Sequence, residues 1–343
     1  MSRMIDLERG RVEMVHGAGG RASAELVEVL FARAFDNPYL AQQNDGARLT
    51  APPGEIVFST DSYVVSPLFF PGGDIGKLAV HGTINDIAMG GARPLWLSAG
   101  FILEEGLRLA DLARVVHSMA DAARAAGVAI VTGDTKVVER GKGDGVFINT
   151  AGVGVISPSI IPPSGDRARP GDVILVSGTL GDHGVAILSS RQNLEFETTI
   201  ESDTAPLHGL VAALLEGGVE VHALRDPTRG GLGTTLNEIA RQSGVGMIVR
   251  EQNIPVRAEV AAASELLGID PIYIANEGKL VAVCAADSAE RALSIMRAHP
   301  FGKDACIIGE VVPDPRRLVV LVTAFGGKRI LDWLTGDQLP RIC

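Results

Sequence analysis

Apolar residues along this 343-residue chain form two kinds of run, and the two kinds alternate. Short continuous runs, Ile56-Val57-Phe58-Ser59-Thr60, Val128-Ala129-Ile130-Val131-Thr132, Val146 to Ile156 and Val173-Ile174-Leu175-Val176-Ser177, have strand character. Elsewhere the spacing opens to three and four residues. Leu26, Leu30, Phe31, Ala34 and Phe35 keep helical intervals behind a glycine-rich stretch, His16-Gly17-Ala18-Gly19-Gly20. Ile75, Leu78, Ala79, Ile87 and Ala88 predict a helix from Asp74 to Met89, stopped by Gly90-Gly91. Leu109, Leu112, Val116, Met119 and Ala123 predict another from Leu109 to Ala126, closed by Gly127. Strand, helix, strand alternation indicates an α/β lobe. The polar pair Asn85-Asp86 is out of place in so apolar a helix.

Prolines then break the pattern: Pro158, Pro162-Pro163-Ser164-Gly165 and Pro170-Gly171-Asp172 read as a linker over 157–172. A new α/β pattern follows. The expected organisation is an N-terminal domain over 1–156, a C-terminal α/β domain over 173–334, and a mobile tail over 335–343. A mass of 35.9 kDa agrees with two domains. The segment Arg191 to Thr204 has the polar composition of a mobile loop, and no internal repeat is present.

Composition narrows the classes. With 46% hydrophobic and 21% charged residues the chain is globular. A net charge of −10 argues against a nucleic-acid partner, which needs a basic footprint. No apolar run has the length of a membrane span and the first residues lack the apolar core of a signal peptide, so a cytoplasmic protein is expected. There are three cysteines. Cys284 and Cys306 sit in apolar surroundings and are expected to be buried. Cys343 is the last residue, at the end of Leu339-Pro340-Arg341-Ile342-Cys343; prenylation needs a cysteine four from the end and an odd cysteine count disfavours a disulfide, which leaves an incidental terminal cysteine and a functional thiol both open. A thiol on a tail that reaches away and returns looks like a tethered substrate. His81, His117, His183, His208, His222 and His299 share no ligand spacing and read as structural.

The candidate chemistry is acidic. Asp61 and Asp134 follow two of the strands, and Asp86 sits near a helix end. One crevice could gather all three; clustered carboxylates then need a cation, and hard oxygen ligands suit magnesium and hence nucleotide phosphates. Ordinary loop-end and capping acids would occupy the same positions. The phosphate-loop string and the dinucleotide fingerprint are both missing. The glycine-rich stretch ahead of a helix could admit an anion, though a flexible turn explains it as well. In the second half, Arg225-Asp226-Pro227-Thr228-Arg229-Gly230-Gly231-Leu232 and Ala275-Asn276-Glu277-Gly278-Lys279-Leu280 each set charged residues beside glycine at the edge of an apolar element.

Taken together, His16-Gly17-Ala18-Gly19-Gly20, Phe58-Ser59-Thr60-Asp61-Ser62, Gly82-Thr83-Ile84-Asn85-Asp86, Thr132-Gly133-Asp134-Thr135-Lys136, Asp226-Pro227-Thr228-Arg229-Gly230-Gly231, Ala275-Asn276-Glu277-Gly278-Lys279 and the final Pro340-Arg341-Ile342-Cys343 resemble the HypE family of [NiFe]-hydrogenase maturation proteins. The match runs over essentially the whole chain. Single pieces occur across the ATP-binding superfamily of aminoimidazole ribonucleotide synthetase and selenophosphate synthetase; the terminal Pro-Arg-Ile-Cys singles out HypE. The resemblance implies a two-lobe PurM-like α/β (α+β) fold, with N-terminal lobes that pair in a homodimer to form a β-barrel and hold ATP near the interface.

It also implies a reaction. A HypF-type carbamoyltransferase places a carboxamide on the terminal thiol, ATP drives its dehydration to a thiocyanate, and the cyano group passes to a HypC–HypD complex that carries the iron. On this resemblance Cys343 carries the reacting group, Glu277 is the base and Lys136 the cation beside the reacting oxygen. Gly17, Gly19 and Gly20 fold over the phosphates. Asp61, Asp86 and Asp134 bind magnesium and phosphate, with Asp45 a fourth metal acid and Asn149 and Asp226 further nucleotide-site residues. Two alternatives remain. A related synthetase acting on a free small molecule would share the acids without needing Cys343, and a carbamoyl or cyano carrier without catalysis would have no use for a nucleotide site.

Overall fold

In a computed structural model, which describes residues 5–192, 200–336 and 341–343, the chain folds into two mixed α/β lobes in contact with each other. The first is built on a four-stranded sheet of order β1 (Glu55–Tyr63), β6 (Val146–Ile156), β4 (Arg93–Glu104), β5 (Ala129–Val138). Strands β1 and β4 both pair antiparallel with β6, and β4 runs parallel to β5. That parallel pair needs a crossover, supplied by α3 (Leu109–Ala125). A short helix α1 (Arg21–Leu26) precedes β1, and a hairpin of two-residue strands, β2 (Phe69–Phe70) with β3 (Gly73–Asp74), leads into α2 (Ile75–Met89). Asp74 caps that helix by accepting from the backbone N–H of Gly76 and Lys77. The helix is buried nearly all round because it lies between the sheet, α3 and the second lobe. This is why its sequence shows no polar face.

The second lobe carries a seven-stranded sheet of order β13 (Lys328–Leu331), β12 (Val319–Val322), β9 (Gly246–Arg250), β11 (Cys306–Val312), β7 (Val173–Val176), β10 (Val281–Cys284), β8 (Val221–Arg225). Helix α6 (Gly231–Ser243) packs in one apolar core, and α5 (His208–Glu216) with α8 (Ala289–Ala298) in another. Helices α4 (Asp182–Gln192) and α7 (Ala258–Leu267) lean instead on the first lobe's core, through Val185, Ala186, Val260 and Ala263. Residues 157–172 contain no helix or strand. No helix of the described residues is long and apolar enough to cross a membrane.

Several expectations are adjusted. Strands β1 and β5 run past the predicted ends, so Asp61 and Asp134 lie within strands rather than after them. Cys284 is buried as expected; Cys306 is only half-buried, at the first position of β11 where the sheet ends. Of the segment read as a mobile loop, residues 193–199 lie outside the described residues, but Ile200, Ser202 and Thr204 are buried. Residues 337–340 of the tail also lie outside the described residues. Of its last three residues, Ile342 is buried and Cys343 half-buried in the body of the molecule, while Arg341 is exposed.

Candidate active site

The odd pair in α2 joins the lobes. Asn85, 1% exposed, donates from Nδ2 to the Ala205 carbonyl at 3.0 Å and to the Glu277 carbonyl at 3.4 Å, while its Oδ1 accepts from Leu207 N–H at 2.8 Å. One side chain thus ties the first-lobe helix to the second-lobe loop that bears Glu277. Asp86, the next residue, turns to β1 and accepts from Ser59 Oγ at 2.8 Å.

Around this joint stand more carboxylates than cations. Burial raises the Asp86 carboxyl above its ordinary range, and the Asp61 charge adds to it against the Ser59 hydrogen bond and Arg225. Asp226, just past β8, is pushed up to about 7, first by burial and then by Asp86. Glu277 is held well above the usual range by burial and then by Asp226, Asp203, Asp61 and Asp86. It is 4% exposed, and its Oε1 has no hydrogen-bond partner among the described residues. An orphaned buried carboxylate oxygen of this kind costs stability, so it marks a site kept for something else.

Asp203 stands apart. Burial works against its ionisation, but the Lys279 ammonium nearby and the Glu277 N–H hold it below its ordinary range. It accepts from Glu277 N–H at 3.0 Å, Gly278 N–H at 3.3 Å and Lys279 Nζ at 2.9 Å. Gly278 is required here: a Cβ on it would lie 1.8 Å from the Asp203 carbonyl oxygen.

Cys343 reaches the same place. Its backbone oxygen accepts from Val64 N–H at 3.0 Å, and the Arg341 carbonyl accepts from Ser66 N–H at 3.3 Å, which lays the last residues beside the end of β1. Ile342 is 4% exposed within the first lobe's core. Its carbonyl accepts from His183 Nε2 at 2.6 Å, and Arg341 is ion-paired with Asp144. The half-buried thiol is pushed far up by burial and then by Glu277 and Asp61, with Arg229 opposing.

The crevice expected to gather Asp61, Asp86 and Asp134 gathers only the first two within one chain. The register aligns Ser62, Asn149, Gly100 and Asp134 in one row across the sheet. Side chains alternate along strands, so Asn149, Asp134 and Lys136 fall on the sheet's open face, and Asp61 falls on the face that α2 covers. The row from β1 to β5 spans three strand spacings, about 14 Å. Lys136 is ion-paired with Asp134, whose carboxyl that hydrogen bond lowers, and both are exposed. Asn149 donates to the Asp61 carbonyl and to Ser62 Oγ, each at 2.9 Å. Gly17 packs on the neighbouring residue of β5: a Cβ there would sit 2.8 Å from Val137 N. Gly19 and Gly20 are exposed with open space around them, and so is Asp45. Among the described residues, no three acids, histidines or cysteines converge closely enough to hold a metal within one chain.

Two contributors escaped the sequence. Asp203 lay in the presumed loop, and His183 was counted with the structural histidines. The only available signal was weak: a polar Glu201-Ser202-Asp203-Thr204 string running straight into Ala205-Pro206 without glycine.

The fold and this acid-lined joint define the class. The first lobe matches the AIR synthase related protein, N-terminal domain, over residues 43–156, and the second matches the AIR synthase related protein, C-terminal domain, over residues 169–321. The chain is 66% identical to the carbamoyl dehydratase HypE of Azotobacter vinelandii over 100% of both chains. It is 63% identical to that of Cupriavidus necator, over 99% of this chain and 97% of the other. A crystal structure of the hydrogenase maturation protein HypE in complex with ATP superposes with a TM-score of 0.93 at 55% identity, covering 96% of this chain and 99% of that one. A HypE–HypF complex contains a chain of TM-score 0.79 and 52% identity, with 90% and 99% covered. The chain belongs to the HypE family of carbamoyl dehydratases.

Proposed function

We propose that the chain dehydrates an S-carboxamide on its own Cys343 to a thiocyanate, in an ATP-dependent reaction that supplies the cyanide ligands of a [NiFe]-hydrogenase. The observation that carries this reading is the geometry at Glu277: a buried carboxylate with one oxygen unpartnered among the described residues, raised proton affinity, and the docked Cys343 among its neighbours. A base must be stronger than an ordinary glutamate to take a proton from an amide-type nitrogen, and burial among acids makes it so.

ATP, as co-substrate, supplies the phosphoryl group that converts the carboxamide oxygen, a poor leaving group, into phosphate. A magnesium nucleotide brings its own phosphate oxygens and needs only one or two carboxylates from the protein, and Asp61 and Asp86, whose mutual repulsion and that with Asp226 a hard cation would relieve, could supply them. Asp45 and Asp134 are proposed as further metal acids, Asn149 as a nucleotide contact, and Gly17, Gly19 and Gly20 as the backbone over the phosphates; Asp134, on the open sheet face, would reach the acids of the other protomer in a homodimer. Lys136 would set its ammonium beside the reacting oxygen. Glu277 then removes a nitrogen proton while the C–O bond breaks, the second nitrogen proton leaves with the departing phosphate, and the nitrile forms on sulfur.

The open face of the first-lobe sheet supports a homodimer. Ile56, Phe58 and Ile102 are 61%, 67% and 44% exposed on it, and pairing two such faces into a barrel would cover them. A HypF-type carbamoyltransferase would load Cys343 and a HypC–HypD complex would unload it, in the cytoplasm. The tail must therefore alternate between the docked position and one open to partners.

Intact mass after incubation with a carbamoyltransferase, carbamoyl phosphate and ATP tests this. Addition of a carboxamide on Cys343 and its ATP-dependent loss of one water are expected. ATP consumption with Cys343 unmodified would overturn the reading.

A further inference from the structure

His183 is fully buried yet spends both ring nitrogens on hydrogen bonds, one of them to the tail. Because the Ile342 carbonyl is only an acceptor, Nε2 carries the proton, at 2.6 Å from that oxygen. Nδ1 then accepts from Ser202 Oγ at 2.8 Å, and Phe70 packs edge-on against the ring at 5.7 Å between centroids. Ser202 is itself fixed: its N–H donates to the Pro71 carbonyl at 2.8 Å. The residue after it, Asp203, holds the backbone of Glu277 and Gly278. Two adjacent residues thus grip the two halves of the site, Ser202 the tail through His183 and Asp203 the loop of the base.

We infer that His183 is a positioning residue that docks the tail, its Nε2–H bond to Ile342 setting Cys343 in register with Glu277 and its Nδ1 bond to Ser202 fixing the tautomer. The inference rests on the carbamoyl-dehydratase reading for its consequence in catalysis, but not for the docking itself. A hydrogen bond is directional, whereas the apolar seat of Ile342 tolerates sliding. The carbonyl bond therefore fixes how deep the last residue sits.

Two substitutions separate the ring's two ends. His183→Gln keeps an N–H donor near the Nε2 position, and His183→Asn keeps a polar group near Nδ1 that falls short of Ile342. With the full-length protein, iodoacetamide labelling of Cys343 is followed by peptide mass. Labelling should rise about fivefold in His183→Asn, the worth of one net hydrogen bond, and stay near wild type in His183→Gln. Ile342→Ala, which alters only the tail, should also raise it. Equal labelling in Asn and Gln variants, or a rise confined to Ile342→Ala, would overturn the docking role.

The catalytic arm is single-turnover dehydration of the carbamoylated protein. Slowing in His183→Asn with recovery in His183→Gln is expected, and wild-type rates in both would overturn the positioning role. If wild-type protein fails to dehydrate while labelling still follows the pattern above, the function falls and the tail latch stands.

Discussion

Glu277→Gln is the sharpest test of the site. The substitution keeps the shape of a side chain that is 4% exposed, so packing is preserved, and it removes the group that accepts a proton. A positioned general base contributes about 10²- to 10⁴-fold, roughly 3–5 kcal/mol of barrier. Protein carbamoylated on Cys343 should therefore lose water that much more slowly when ATP is added, in a quenched single-turnover assay read by intact mass. Carbamoylation itself should proceed normally. In wild type the rate should rise with pH through a limb well above the ordinary glutamate range, since the base acts ionised and burial with four neighbouring acids resists ionisation. The same shift acts on stability. A folded-state pKa above the unfolded 4.5 means that the folded chain keeps a proton which the unfolded chain releases, so stability falls as pH rises from about 4.5 toward the folded value. The glutamine variant lacks this loss and should melt higher than wild type at pH 8, with the gap closing near pH 4. Dehydration at the wild-type rate in Glu277→Gln would refute the assignment of the base.

Further outcomes follow from the same electrostatics. Asp226→Asn should remove a carboxyl that titrates near 7 in the folded chain against 3.8 ordinarily; its melting temperature should gain on wild type as pH rises between those values, while affinity for magnesium nucleotide falls, both read by thermal shift. Asp203→Asn leaves Lys279, whose side chain is 13% exposed, without its partner, and should cost about 3–5 kcal/mol in urea unfolding; a loss under about 1 kcal/mol would contradict the buried ion pair. Because the Asp203 carboxyl is lowered, that contribution is present above the ordinary aspartate pKa and fades as pH falls. Phe58→Glu on the open sheet face should shift sedimentation from dimer to monomer, and an unchanged mass would count against that face as the interface.

The helices α2 and α3 were legible because their apolar intervals and stop glycines are local signals, and β6 because it is a long run bounded on both sides. The acids were legible as residues but not as a constellation. Asp61 and Asp134 look alike in sequence, each behind a short apolar run, yet they occupy opposite faces of one sheet because register and strand parity depend on pairing partners far along the chain. Glu277 could be singled out through its motif; that its Oε1 is orphaned could not, since burial arises from the packing of both lobes. Asp203 and His183 were missed for the opposite reason. Their neighbours in sequence are polar, and only the fold turns that stretch inward.

The joint between the lobes holds these acids close together. Asn85 spends both amide hydrogens and an oxygen lone pair on the second lobe's backbone, so α2 cannot withdraw Asp86 from the centre without leaving buried polar groups unpaired. Asp203 likewise fixes the loop of Glu277 from behind through three donors. The carboxylates therefore cannot relax apart, and their repulsion is stored as raised proton affinity instead of being lost to movement. That is the condition a base at Glu277 needs: burial of the glutamate raises its proton affinity first, and neighbours that cannot move away add to it.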